Sequence, residues 1–210
     1  MRVYKFLTSE FAMKDIWERR LKISEISDLN DPFELISCDL SKPAHIKAML
    51  EMRDELTRNR GLLCFSRAWT NPLLWAHYAD KHRGICLGFD LNVDDDMARA
   101  VDYVEERFPW QEPPTEEFTL KLLWTKFEGW KYEDEVRAFM TREEAEDQRY
   151  FIHFGDKLQL REIIVGHRCY IERGEISAAM ASYAHLVPII KARLSRTSFS
   201  VEENLIGFMS

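Results

Sequence analysis

The order of apolar runs along this chain constrains its fold more than any single motif. Alternating or wholly apolar stretches at Val3–Leu7, Leu21–Ser24, Leu62–Ser66 and Ile85–Phe89 read as strands. Further strands are expected at Glu133–Met140, Arg149–Phe154, Leu160–Val165 and Val187–Leu194, with one more in the tail. Ala100–Val104 fits strand or helix. Helices are predicted from Ser9 to about Arg20, from Pro43 to about Asn59, and, with Asn71-Pro72 as a start signal, from Leu73 towards Gly84. Two more are predicted from Glu116 to about Phe127 and from about Gly174 to His185. Ser9 is the expected cap of the first, with Phe11, Ile16 and Trp17 among its apolar positions, and Asn92 is expected to cap a brief acidic helix. Hairpin-like strand runs mix with helices without strict alternation. The expected class is therefore α+β, with a mixed, mostly antiparallel sheet flanked by helices.

With 210 residues, the expectation is one domain spanning 1–210. Its least regular part is 108–114, where Pro109, Pro113 and Pro114 remove backbone donors and favour extended geometry. A net charge of -7 argues against nucleic-acid binding driven by bulk charge. Cys38, Cys64, Cys86 and Cys169 form no C-x-x-C pair, so neither a zinc-finger spacing nor a redox motif is present. The first residues carry no apolar signal region, and no run approaches the ~18 apolar residues of a membrane span. No membrane partner and a cytoplasmic location are expected.

Three stretches bring together residues capable of chemistry. Asn30-Asp31-Pro32-Phe33-Glu34 is strong turn chemistry, read either as a structural turn anchored by Phe33 or as the rim of a pocket. The run Leu73–Gly84 sets Trp75, His77, Tyr78 and His82 close together. On helical spacing Trp75 and His82 share a face, whereas His77 and His82 are five apart and make a poor metal pair. Trp75 and Tyr78 either pack in the core or stack on a planar ligand, with His77 or His82 donating to phosphate or ribose. The third stretch runs from Lys126 through Trp130, Tyr132, Glu133 and Glu135 to Arg137. On a strand, Glu133, Glu135 and Arg137 lie on one face, either as a solvated ladder or as paired carboxylates with tuned acidity.

Taken together, these stretches resemble the bacterial family DUF2971, from Tyr4 to about Ile190. The resemblance rests on Asn30–Glu34, Cys64-Phe65-Ser66, Trp75-x-His77-Tyr78-Ala79 through His82-x-Gly84, and Gly88-Phe89. Lys126, Trp130-x-Tyr132-Glu133-x-Glu135-x-Arg137 and Leu160–Gly166 complete it. The layout also resembles ADP-ribosyltransferases, which implies an NAD-consuming or nucleotide-modifying transferase acting on a protein or nucleic-acid target, in a phage-defence or toxin setting. It implies NAD as substrate, with no tightly bound cofactor. By that resemblance Glu135, or Glu133, stabilises an oxocarbenium-like transition state through a ribose hydroxyl. His77, on a helix without a counterpart in that superfamily, is a further catalytic candidate. Lys5, Asn30, Asp31, Ser66, Trp75, Tyr78, His82, Lys126, Tyr132 and Arg137 are the candidate ligand-binding residues. Lys5 stands where that superfamily has His or Arg, and Ser66 lacks the flanking Ser-Thr. Two other readings stand beside it. One is a non-catalytic module sensing a nucleotide or a partner. The other is a metal-dependent phosphodiesterase or nuclease, which needs Asp31, Glu34, His77, His82 and Glu133 to converge on one ion.

Overall fold

A computed structural model describes residues 1–25, 29–93, 97–141, 151–183 and 185–208. The chain divides into two compact units, each assembled from separate segments. The first comprises Met1–Lys22, Phe65–Val93 and Phe151–Ser210, and the second comprises Ile23–Cys64 and Asp94–Tyr150. The α+β expectation holds, and the strands are mixed and mostly antiparallel. Among the described residues, no helix is long and apolar enough to cross a membrane.

In the first unit, β1 (Arg2–Leu7) and β10 (Leu158–Val165) both run antiparallel to β4 (Ile85–Leu91). β4 is buried along nearly its whole length, as its unbroken apolar run requires. β11 (Ile189–Leu194) joins β10 in parallel, and β12 (Val201–Glu203) closes that side antiparallel. A short pair, β2 (Arg20–Lys22) with β9 (Phe151–His153), stands apart from these strands. Helix α1 (Ser9–Glu18) is capped by Thr8, not Ser9: the Thr8 hydroxyl accepts from the Phe11 N–H. Its inner face is Ala12, Asp15 and Ile16, while Phe11 and Trp17 face outward, so apolar character alone misjudged those two positions.

Helix α3 is shorter than predicted, spanning Pro72–Tyr78, with Asn71 as its cap. Asp80, Lys81 and His82 all have positive φ, a left-handed succession that ends the helix before His82. The turn packs closely enough that a Cβ on Gly84 would strike the Leu7 carbonyl and one on Gly166 would strike the His82 carbonyl. α5 (Arg173–Ala179) also ends early. The acidic helix expected after Asn92 and the start of the strand expected at 149 fall on residues outside those described.

In the second unit, β8 (Glu135–Thr141) pairs antiparallel with β5 (Ala98–Ala100), and the Arg60–Cys64 part of β3 (Arg60–Ser66) belongs here. β6 (Asp102–Val104) runs parallel to β7 (Thr125–Phe127). Helices α2 (Pro43–Asn59) and α4 (Glu116–Trp124) pack here. Leu123 and Trp124 of α4 enter a core with Leu35, Leu62 and Phe139, whereas Leu122 and Phe118 enter a second with Cys38 and Met49. Trp110 of the proline-rich loop stacks on buried His45, ring centres 4.9 Å apart. α4 stops at Trp124, so the predicted helical stretch to Phe127 is instead a strand.

Candidate functional site

The second unit gathers five charged side chains into its interior. Asn30-Asp31-Pro32-Phe33-Glu34 folds as the expected turn: Asp31 Oδ1 accepts the Phe33 N–H at 2.9 Å, and the Asp31 carbonyl accepts the Glu34 N–H. The turn directs Phe33 outward and Glu34 inward. β7 does the same with its last two residues, burying Lys126 and exposing Phe127. A 3-10 helix, Glu128–Glu133, follows and ends at Asp134 in the left-handed region. Glu133 therefore lies at the end of that helix and not on the strand expected at Glu133–Met140. It returns to Lys126 through this turn, whereas Glu135 and Arg137 share a face of β8 by strand alternation.

Arg137, with no exposed surface, is the hub. Its Nε and Nη2 donate to the two oxygens of Glu135 at 3.0 and 3.2 Å, and Nη2 also donates to Glu34 at 3.0 Å. Nη1 donates to the Leu123 carbonyl at 2.9 Å. Glu34 Oε1 lies 2.6 Å from Nη1 in a charge contact without hydrogen-bond alignment. Lys126 Nζ donates to Glu133 at 2.5 Å and to Glu135 at 3.0 Å, and it sits 5.0 Å from the centre of the Trp130 ring. The Tyr103 hydroxyl accepts the Glu135 backbone N–H at 2.9 Å.

Burial opposes an ionised Glu135, yet Arg137 and Lys126 outweigh it and hold the carboxyl well below its ordinary value. In Glu34 burial wins over the same two cations and raises the carboxyl. Burial works against the charge on Lys126 too, but Glu135 and Glu133 reverse that and raise its pKa. Three carboxyls thus face two cations within this network. Glu135 is only 3% exposed and both its oxygens are engaged, so it acts as a fixed negative charge and not as a proton acceptor.

The outward partners of this network line a pocket of about 230 Å³. Phe33 and Phe127, 53% and 52% exposed, supply its aromatic surface, with Ile36 and Val104 beside them. Val104 is directly opposite Phe127 in the β6–β7 register. Its polar lining is Ser37, Glu105, Glu106 and Arg107, and the Arg107 guanidinium rests 5.1 Å from the Phe33 ring centre. Each wall is bonded in sequence to a member of the buried network: Phe33 to Glu34, and Phe127 to Lys126. The charges inside therefore fix the aromatic groups outside.

Of the residues singled out in the sequence, Lys126, Glu133, Glu135 and Arg137 come together in the second unit, where Asn30, Asp31 and Tyr132 also lie. Lys5, Ser66, Trp75, His77, Tyr78 and His82 belong to the first unit. There Trp75 is fully buried, donates its indole N–H to the Trp69 carbonyl at 2.6 Å, and meets Phe6 edge-on at 5.2 Å. His82 reaches the Trp75 ring in a parallel stack at 6.2 Å through the left-handed turn, not along a helical face. Its pKa is lowered by burial, then by Arg168 and His167. His77 is exposed beside Tyr78, and the Ser66 hydroxyl donates to the Ala68 carbonyl. Among the described residues, no group of three or more His, Cys, Asp or Glu could hold a metal ion.

The pocket residues Phe127, Glu105, Glu106 and Arg107 were not anticipated. The available signal was the exposed aromatic beside a buried charge, which needs the strand boundary at Thr125 to be seen.

Residues 74–138 match the model of the family DUF2971, described as a protein of unknown function. The DUF2971 kinship holds over that segment. It includes the Trp75 motif, Val104 to Arg107, and the whole run from Lys126 to Arg137, whereas Asn30–Glu34 and Cys64–Ser66 lie outside it. No curated protein and no solved structure matches the chain.

Proposed function

We propose that this chain is a binding module that senses a small planar molecule in the Phe33–Phe127 pocket. The observation that carries this reading is the pairing of two exposed aromatic walls with a buried ion network bonded to both. Ligand sites combine a mostly apolar lining with a few placed polar groups, as Ser37, Glu105, Glu106 and Arg107 provide here. Rigid walls lower the ordering cost of binding. The volume is below the roughly 300–1,000 Å³ of drug-sized sites, so one ring system enters and a whole dinucleotide does not.

A transferase acting on NAD is the second reading, favoured by the presence of Glu133, Glu135 and Lys126 within the family-matched segment. It asks Glu135 to engage a ribose, whereas Arg137 and Lys126 already occupy both oxygens. Sensing without turnover accords better with that saturation.

Thermal-shift and calorimetric titration with nucleosides, nucleotides, NAD and single-ring aromatics distinguishes the two. A binding module shows ligand-dependent stabilisation that Phe127→Ala removes, with the ligand recovered intact. NAD cleavage by the purified protein, abolished in Glu135→Gln, overturns the sensing reading in favour of the transferase.

A further inference from the structure

The chemical class of the ligand can be read from the pocket itself. Arg107 places a planar cation on the exposed Phe33 ring, so that face already satisfies the geometry of a cation–π contact. Glu105 and Glu106 supply two carboxylates to the lining, and Arg107 is the one cation among the lining residues. The local field therefore favours positive charge over a phosphate or carboxylate.

We infer that the pocket is a site for a small planar cation: a guanidinium, an amidinium or a protonated nitrogen heterocycle on a ring-sized molecule. The ligand takes the place of the Arg107 guanidinium on Phe33, with Phe127 as its second apolar contact and Glu105 and Glu106 as its counter-charges. Arg107 is then an internal placeholder. Asp39, which lies within electrostatic reach of Arg107, gives the displaced guanidinium another partner. The inference rests on the binding reading above and sharpens it. It also inverts the obvious role of Arg107, since a clamp for an anion and a placeholder for a cation respond oppositely to its removal.

The test uses three isosteric rings of different charge, benzamidinium, benzamide and benzoate, titrated into the full chain by calorimetry and ligand-observed NMR. Benzamidinium is expected to bind about tenfold more tightly than benzamide, with benzoate weakest. Arg107→Ala is expected to strengthen benzamidinium binding by about threefold, because a competing like charge leaves the ring face. Glu105→Gln and Glu106→Gln weaken benzamidinium selectively, and Phe127→Ala weakens all three probes. All four positions are exposed, and circular dichroism confirms that each variant folds. Preferred binding of benzoate, lost in Arg107→Ala, overturns the inference in favour of an anion site. Equal binding of the three probes overturns it in favour of an uncharged aromatic slot. Should all three fail while a nucleotide binds, the cation inference falls and the binding reading stands. Should nothing bind, both fall.

Discussion

Asp15 in the first unit and Glu135 in the second are both buried carboxyls, 7% and 3% exposed, and burial pushes both up, yet they end on opposite sides of their ordinary values. Asp15 is pushed up to about 7 by burial, which Lys5, Arg20 and Lys14 only partly offset while Glu18 adds to it. Glu135 is more deeply buried, yet its carboxyl is held low because Arg137 and Lys126 donate directly to it. Burial alone does not set the charge state of an interior acid. Directed donors within hydrogen-bond distance can reverse it, whereas the more diffuse field around Asp15 does not.

The strongest way to break the contrast is to remove the hub of the second unit. Arg137→Met leaves Glu34 and Glu135 as buried acids without their shared donor. It is expected to cost about 3–5 kcal/mol, the range for breaking a buried ion pair from one side. Hydrogen exchange resolved by peptide reads the loss in β8 and β7. Unchanged protection there would mean that apolar packing around Trp124 and Phe139 carries the second unit without the network.

The next effect belongs to Asp15 and depends on pH. Its folded pKa lies above its ordinary value, so between about 4 and 7 the folded state binds more protons than the unfolded state. Stability therefore falls as pH rises through that window. At about 1.4 kcal/mol per unit, the total is on the order of 2–4 kcal/mol. Asp15→Asn is expected to flatten the slope and to stabilise the first unit at pH 8, as followed by denaturant titration from pH 5 to 8. Retention of the slope in the variant would move its origin elsewhere.

Glu135 has the reverse sign. Its folded pKa lies below the ordinary 4.5, so its contribution is present above that value and is lost as pH falls beneath it. Glu135→Gln keeps the shape but removes the charge, and about 1.5–3 kcal/mol is expected to disappear at neutral pH. The loss stays below that of Arg137→Met, because Lys126 keeps Glu133 and Arg137 keeps Glu34. Equal stability of this variant and the parent from pH 3 to 7 would show that the donors around Glu135 contribute no net stability.

These contrasts also explain how much of the molecule could be read from its sequence. The α+β class, the strands around Ile85–Phe89 and Leu160–Val165, and the Asn71 and Pro72 helix start follow from local periodicity and capping. So does the same-face pair Glu135 and Arg137. Glu133 does not, because a 3-10 helix and the left-handed Asp134 place it beside Lys126 by a route that strand alternation cannot anticipate. His82 meets Trp75 through a similar left-handed turn. The pocket was hidden for a related reason. Phe127 reads as the last turn of an apolar helix until Thr125 is known to begin a strand, and only then do Lys126 and Phe127 point to opposite sides.

The smallest expected effect tests the first unit's side of the comparison. Lys5, an early candidate for gripping a ligand, is half-buried and lowers Asp15 electrostatically without cancelling its burial. Lys5→Met removes that opposition, so the Asp15 midpoint, followed by carboxyl NMR, should rise above about 7. Stability at neutral pH should change by less than about 1 kcal/mol, as for other partly exposed charge pairs. A midpoint that falls would mean that Lys5 was aiding desolvation instead of supplying charge. A midpoint that does not move would leave Arg20 and Lys14 as the groups that temper Asp15, and the contrast with Glu135 would then rest on those two residues alone.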